Sequence, residues 1–174
     1  MKILLASIPA TGHFNPILVA ALILKEAGHE TAIYTSLVFR DKIEKAEVRF
    51  FPLPEDADEG VRDFIASFFE KHKVTPGPEE LVKAYSGVFI NPMISQFRGL
   101  QAILKEFCPD VVIHETSFAG VIPMLLGPRS ERPAFIWGSP HCPLSAQMVH
   151  RRVRDCCRAK IRKSGKNMPR SRVT

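Results

Sequence analysis

The chain has 174 residues, 45% hydrophobic and 24% charged, a composition that excludes wholesale disorder and predicts one globular domain with an appendage. A chain of this length buries about 70% of its unfolded surface and needs no disulfide or metal staple. The formal charge of +6 is uneven: residues 150–174 hold ten Lys/Arg and one acid, Asp155, for +9, whereas residues 1–149 hold 14 basic and 17 acidic residues, a net −3. The domain itself is mildly acidic, so nucleic acid is not its expected partner. The four cysteines, Cys108, Cys142, Cys156 and Cys157, form no C-x-x-C pair, which fits a reducing compartment. No apolar run approaches the roughly 20 residues of a membrane helix. Pro9 and Gly12 cut the apolar start too short for a signal peptide, so the expected location is the cytoplasm.

Residues 2–7 (KILLAS), an apolar run stopped by Pro9, predict a buried strand. Residues 9–14 are expected to form a loop and Asn15-Pro16 a helix start, with Asn as cap and Pro in the first turn. That helix should run to about Ala27, where Gly28 supplies a left-handed stop. Residues 29–35 alternate as a second strand, 40–45 read as a short polar helix, and 48–53 as a third strand. The acidic, turn-rich residues 54–60 (PEDADEG) read as a surface loop, and 61–71 as a helix carrying Phe64, Phe68 and Phe69. Beyond Pro76-Gly77-Pro78, apolar residues from Leu81 to Phe107 recur at three- and four-residue spacing, a long helix that Pro92 should kink or break. Residues 111–113, 118–126 and 134–137 complete the pattern as strand, helix and strand.

Strands alternating with helices mean β-α-β units. The predicted class is α/β, a Rossmann-like, doubly wound parallel sheet over residues 1–140 followed by a basic segment, 141–174. The common strand order 3-2-1-4-5 puts the switch point beside the first strand. Ligands of such sheets bind at the carboxyl ends of the strands, where Gly12-His13, His114-Glu115 and Ser139-Pro140-His141 fall.

The loop after the first strand offers no phosphate cradle. It has Gly12 alone where G-x-G-x-x-G needs three glycines, and no G-x-x-x-x-G-K-[ST], so no nucleotide cofactor is expected. What it presents is His13 near a helix N-terminus, whose partial positive charge is expected to lower the imidazole pKa and keep the ring neutral, the form a general base requires. The plainer reading is a histidine that only ties the loop. His114 should face away from its neighbour Glu115 and reads as a structural or surface histidine. A metal site of His13, His114 and His141 has no spacing to support it.

The phrase Gly12-His13-Phe14-Asn15-Pro16, after a first strand and before an apolar helix ending in Ala27-Gly28-His29-Glu30, resembles the opening of family 1 glycosyltransferases. These are inverting, GT-B-fold enzymes that move sugars from nucleotide-sugars to small acceptors. The likeness is to the microbial branch acting on macrolides, sterols and other lipophilic natural products. It continues through Pro109-Asp110-Val111-Val112-Ile113, Gly120 and Leu126-Gly127-Pro128-Arg129, and ends near Ser139.

The resemblance implies that residues 1–140 are the N-terminal, acceptor-binding half of such a UDP-glycosyltransferase, with His13 as general base. Glu115 stands where the family usually has an Asp that holds this histidine, and its extra methylene moves the carboxylate by roughly 1.5 Å. Gly12, Phe14, Phe89 and Met93 are the implied acceptor contacts, although Phe64, Phe68, Phe69, Phe89, Met93 and Phe97 at helical spacing read equally as core. The implied partners are a lipophilic small-molecule acceptor and, where a second domain or partner chain is present, a UDP- or TDP-sugar donor. The family's His-x-x-x-Glu…Asp-Gln donor set has no match in residues 141–174, so the chain alone is expected to be inactive. The alternative is a non-catalytic module that binds a lipophilic ligand or a partner glycosyltransferase half. An NAD-type oxidoreductase is a third reading, against which the missing glycines argue. Four readings of residues 141–174 stay open: a truncated or frame-shifted product, the end of one half of a split enzyme, a basic helix meeting an anionic surface or partner, and a solvated tail.

Overall fold

The computed structural model describes residues 1–71, 77–126 and 134–137. Five strands, β1 (Lys2–Ala6), β2 (Glu30–Thr35), β3 (Arg49–Pro52), β4 (Val111–Glu115) and β5 (Ala134–Trp137), form one parallel sheet in the order β3-β2-β1-β4-β5. This is the doubly wound α/β arrangement that the alternation predicts, with β4 two residues longer than the expected 111–113. The helices are α1 (Thr11–Glu26), α2 (Arg40–Lys45), α3 (Glu55–Lys71), α4 (Pro78–Tyr85), α5 (Met93–Glu106) and α6 (Ile122–Leu126).

β1 lies between β2 and β4 and is covered on both faces, which is why it reads as a continuous apolar run rather than an alternation. Its side chains nevertheless part by period two. Ile3 and Leu5 join Phe14, Ile17, Ala20 and Ala21 of α1 and Ile43 of α2 in one core layer. Leu4 and Ala6 join Leu100, Ile103 and Leu104 of α5, with Phe118, Val121 and Met124, in the other.

Two expectations are corrected. The first helix starts at Thr11, not Asn15. The Phe14 amide donates to the Ala10 carbonyl at 2.9 Å, so most of the expected loop is the first turn of α1 and Pro16 lies inside the helix. Burial of Phe14 and Ile17 draws the helix start back, at the cost of the one bond that Pro16 cannot donate to the Gly12 carbonyl. The stop is as expected: Gly28 has φ +83°, its amide donates to Lys25 O at 2.9 Å and that of His29 to Leu24 O at 3.1 Å, closing a Schellman turn.

Residues 54–60 are not a surface loop. They open α3, where the Pro54 carbonyl accepts the amides of Ala57 and Asp58 and the acids Glu55, Asp56 and Asp58 complement the helix dipole. The stretch 81–107 is broken in two at Pro92, one of the two outcomes expected of it. α4 runs into a π-helical turn (Ser86–Ile90), in which the Asn91 amide reaches Ser86 O at 2.9 Å, and Pro92 then caps α5. Pro92 thus breaks the helix, as its missing amide requires. Among the described residues no helix is long and apolar enough to cross a membrane. The expected boundary at residue 140 and the basic segment lie outside the described residues.

Candidate active site

β1 and β4 run side by side, with Ala6 opposite His114, so the residues that follow β1 and the last residue of β4 meet at the carboxyl ends of the strands. Because α1 begins so soon after β1, His13 stands in its first turn, its amide 3.0 Å from the Ala10 carbonyl. Its Nδ1 lies 2.9 Å from Glu115 Oε2. The longer acid therefore reaches the histidine. The Glu115 side chain is buried, 6% exposed, whereas that of His13 keeps 41% of its surface.

Two backbone amides fix the carboxylate. Oε1 accepts from the Ile8 amide at 3.3 Å and Oε2 from the Ser117 amide at 2.6 Å. Since a carboxylate accepts, His13 Nδ1–H donates. In the neutral ring this tautomer leaves the Nε2 lone pair without a protein partner among the described residues. The hydrogen bond to Glu115 raises the His13 pKa, partial burial opposes the rise, and the charge of Glu115 adds to it. The expected lowering by the helix N-terminus is thus overturned, because a carboxylate in direct contact outweighs a terminal dipole.

His114 faces the other side of the sheet and is 3% exposed, a structural histidine rather than a surface one. Its Nδ1–H donates to the Glu115 carbonyl oxygen at 3.0 Å, and that oxygen also takes the Phe118 amide at 3.1 Å. Burial holds its pKa below the ordinary imidazole value.

The implied acceptor contacts lie on separate elements, Gly12 and Phe14 on α1, Phe89 in the π-helical turn and Met93 on α5. Gly12 is exposed beside His13, and a Cβ there would meet nothing within 4 Å. Phe14 is corrected: it is fully buried and stacks on Phe39 with ring centroids 4.0 Å apart, so it braces α1 and has no surface left for a ligand. Phe89, in the π-helical turn, and Met93, at the start of α5, are half-buried, and the Phe89 ring lies against Tyr85. Beside them a cleft of about 270 Å³ is lined by Asp56, Gly60, Val61, Phe64, Gly87, Asn91 and Pro92. Val82, Tyr85, Ile90 and Ile94 are exposed along the same segment. Ser139, Pro140 and His141, with the side chains of Phe68 and Phe69, lie outside the described residues.

The Ile8 and Ser117 amides escape sequence reasoning because a backbone N–H has no residue type. Among the described residues no group of three or more His, Cys, Asp or Glu is placed to hold a metal ion.

Residues 3–137 match the family model described as the glycosyltransferase family 28 N-terminal domain, where the sequence phrase resembles family 1. A UDP-glycosyltransferase 2 of Phaeomoniella chlamydospora is 31% identical over 136 residues, 76% of this chain and 30% of the relative. The calicheamicin glycosyltransferase CalG4 has the same fold, with a TM-score of 0.60 at 18% identity over 96% of this chain and 38% of that one. The Streptomyces sp. SF2575 glycosyltransferase SsfS6, solved with thymidine diphosphate, aligns with a TM-score of 0.54 at 19% identity over 79% of this chain and 38% of its own. The chain spans about three tenths of the length of the curated relatives it matches.

Proposed function

Because the chain belongs to the glycosyltransferase family 28 N-terminal domain family, we propose that it forms the acceptor side of an inverting transfer of a hexose from a UDP- or TDP-sugar to a hydroxyl of a lipophilic small molecule, with His13 as general base. The observation that carries this reading is the 2.9 Å contact of His13 Nδ1 with a buried Glu115 at the carboxyl ends of β1 and β4. The donor class is supported by the UDP-glycosyltransferase relative and by the thymidine diphosphate in SsfS6. The lipophilic acceptor is supported by the exposed Val82, Tyr85, Ile90 and Ile94 beside half-buried Phe89 and Met93.

An alcohol has a pKa far above that of imidazole, so its proton leaves only as its oxygen attacks. Nε2 of His13 takes that proton while the oxygen bonds to the anomeric carbon. The bond from this carbon to the leaving diphosphate oxygen breaks, and the diphosphate keeps the electron pair. Attack from the opposite side inverts the anomeric centre. Glu115 stabilises the imidazolium that forms, and with two amides on its carboxylate it needs no reorientation when the charge appears. Gly12, without a side chain next to His13, leaves room for the acceptor.

The test is transfer from UDP-glucose and TDP-sugars to a panel of lipophilic alcohols, read by mass spectrometry. The chain is assayed alone and mixed with the donor-binding half of a UDP-glycosyltransferase. Product is expected, with loss in a folded His13→Ala variant. Transfer by His13→Ala at the unsubstituted rate overturns the role of His13. Acceptor binding without product in either format overturns transfer and leaves a lipophilic-ligand module.

A further inference from the structure

Along β4, side chains alternate between the two core layers. Val112 enters the layer of Leu4, Ala6, Phe118 and Val121, and His114 falls on the same side. In β1 and β5 its lateral neighbours are Ala6 and Ile136. An imidazole here is costly. It is 3% exposed, and its Nε2 has no hydrogen-bond partner among the described residues. An apolar side chain would fill the layer without an unsatisfied polar atom.

Among the described residues the imidazole makes one hydrogen bond, and that bond bears on the site. Its Nδ1–H meets the Glu115 carbonyl at 3.0 Å, and the same oxygen accepts the Phe118 amide at 3.1 Å. These two donors fix the turn from Glu115 to Phe118. The turn in turn places the Ser117 amide 2.6 Å from Glu115 Oε2, the oxygen that meets His13. The chain of contacts runs from His114 through the Glu115 main chain to the Glu115 side chain and then to His13.

From this geometry we infer that His114 is a positioning residue, which holds the turn after β4 so that the Glu115 carboxylate is locked against His13. Its value for catalysis rests on the reading of His13 and Glu115 as the reacting pair, but its positioning effect can be measured without sugar transfer. It acts from the opposite face of the sheet, through the Glu115 main chain, and needs only an N–H at the Nδ1 position.

Two variants isolate that N–H. His114→Asn keeps a donor in the place of Nδ1, and His114→Leu has the same branched outline with no donor. The readout is titration of the His13 imidazole in the whole chain by NMR, with Glu115→Gln as the reference for a lost carboxylate. The unsubstituted chain and His114→Asn should titrate above the ordinary 6.5. His114→Leu, with the unpartnered nitrogen gone, should fold at equal or greater stability and titrate closer to 6.5, in the direction of Glu115→Gln. A folded His114→Leu chain whose His13 titrates as in the unsubstituted protein overturns the assignment. Failure of both variants to fold overturns it too, by making His114 a residue of core stability alone. Absence of sugar transfer in every assay defeats the proposed function and leaves this titration result standing.

Discussion

His13 and Glu115, 102 positions apart in sequence, meet at 2.9 Å because β1 and β4 are neighbours and α1 starts within a few residues of the end of β1. The contact has a pH signature with opposite signs for stability and activity. The folded His13 pKa is raised, so the stability that the pair contributes is fully present below the ordinary 6.5 and is lost as pH rises through the folded value. Glu115→Gln should therefore cost more stability at about pH 5.5 than at about pH 8.5. With 41% of the His13 side chain in water, the pH-dependent part is about 1 kcal/mol or less. Urea unfolding at the two pH values checks it, and an equal cost at both would detach the His13 charge from Glu115.

For transfer, the neutral ring is the working form. Activity should fall as pH drops through the raised His13 pKa, giving kcat/KM an acid limb above the ordinary imidazole value. In Glu115→Gln this limb should move down and the plateau should drop, because the imidazolium loses its partner. A limb unmoved by Glu115→Gln would mean that another group is titrating.

Removal of the base itself should be more severe. His13→Ala should lower kcat by roughly 10²–10⁴, the usual contribution of a positioned general base. Acceptor affinity and fold should change little, because the ring is partly exposed and, among the described residues, its hydrogen bond is to Glu115. Single-turnover transfer with calorimetric acceptor titration separates the two effects.

The parts of this fold legible in the sequence are those decided by burial along the chain. β1 is an apolar run because both of its faces are covered, β2 shows as an alternation, and Gly28 marks a helix end because its φ is left-handed. His13 and Glu115 are legible as residues at the carboxyl ends of strands that the common strand order makes neighbours, but their pairing is implied only by the resemblance to family 1 glycosyltransferases. The failures lie where tertiary contacts override local preference. Asn15-Pro16 has the residues of a helix start, yet Phe14 packs with Ile17 and Ala21 as one helical face, so the helix must already be running at Phe14. That phase buries a ring which, in a loop, would have been free to face a ligand. The run 54–60 has loop composition, but the Asp58 carboxylate is bound from another element. The His114 to Glu115 link is invisible because its acceptor is a carbonyl.

Asp58 yields a prediction of its own. Its carboxylate is 3% exposed and accepts from Ser36 Oγ at 2.5 Å, the Leu37 amide at 2.7 Å and Arg62 Nε at 3.0 Å. It ties α3 to the turn after β2. Asp58→Ala would leave a buried hydroxyl, an amide and part of a guanidinium unpaired, so it should destabilise by about 3 kcal/mol. Urea unfolding measures this, and a loss under about 1 kcal/mol would mean that water replaces the carboxylate.

Two glycines that look alike in sequence should respond oppositely to alanine. A Cβ on Gly99 of α5 would fall on the Tyr34 hydroxyl, which is buried and donates to the Gln96 carbonyl at 3.1 Å. Gly99→Ala must displace the phenol and break that bond, so it should cost about 2 kcal/mol. Gly12, in the first turn of α1, meets nothing within 4 Å. Gly12→Ala should raise stability by roughly 0.5–1 kcal/mol, because it restricts the unfolded chain and favours the helix. The same methyl would project beside His13, where the proposed acceptor approaches. A Gly12→Ala chain that is more stable yet transfers more slowly would separate acceptor access from folding. Unchanged transfer kinetics at raised stability would instead remove Gly12 from the acceptor's surroundings.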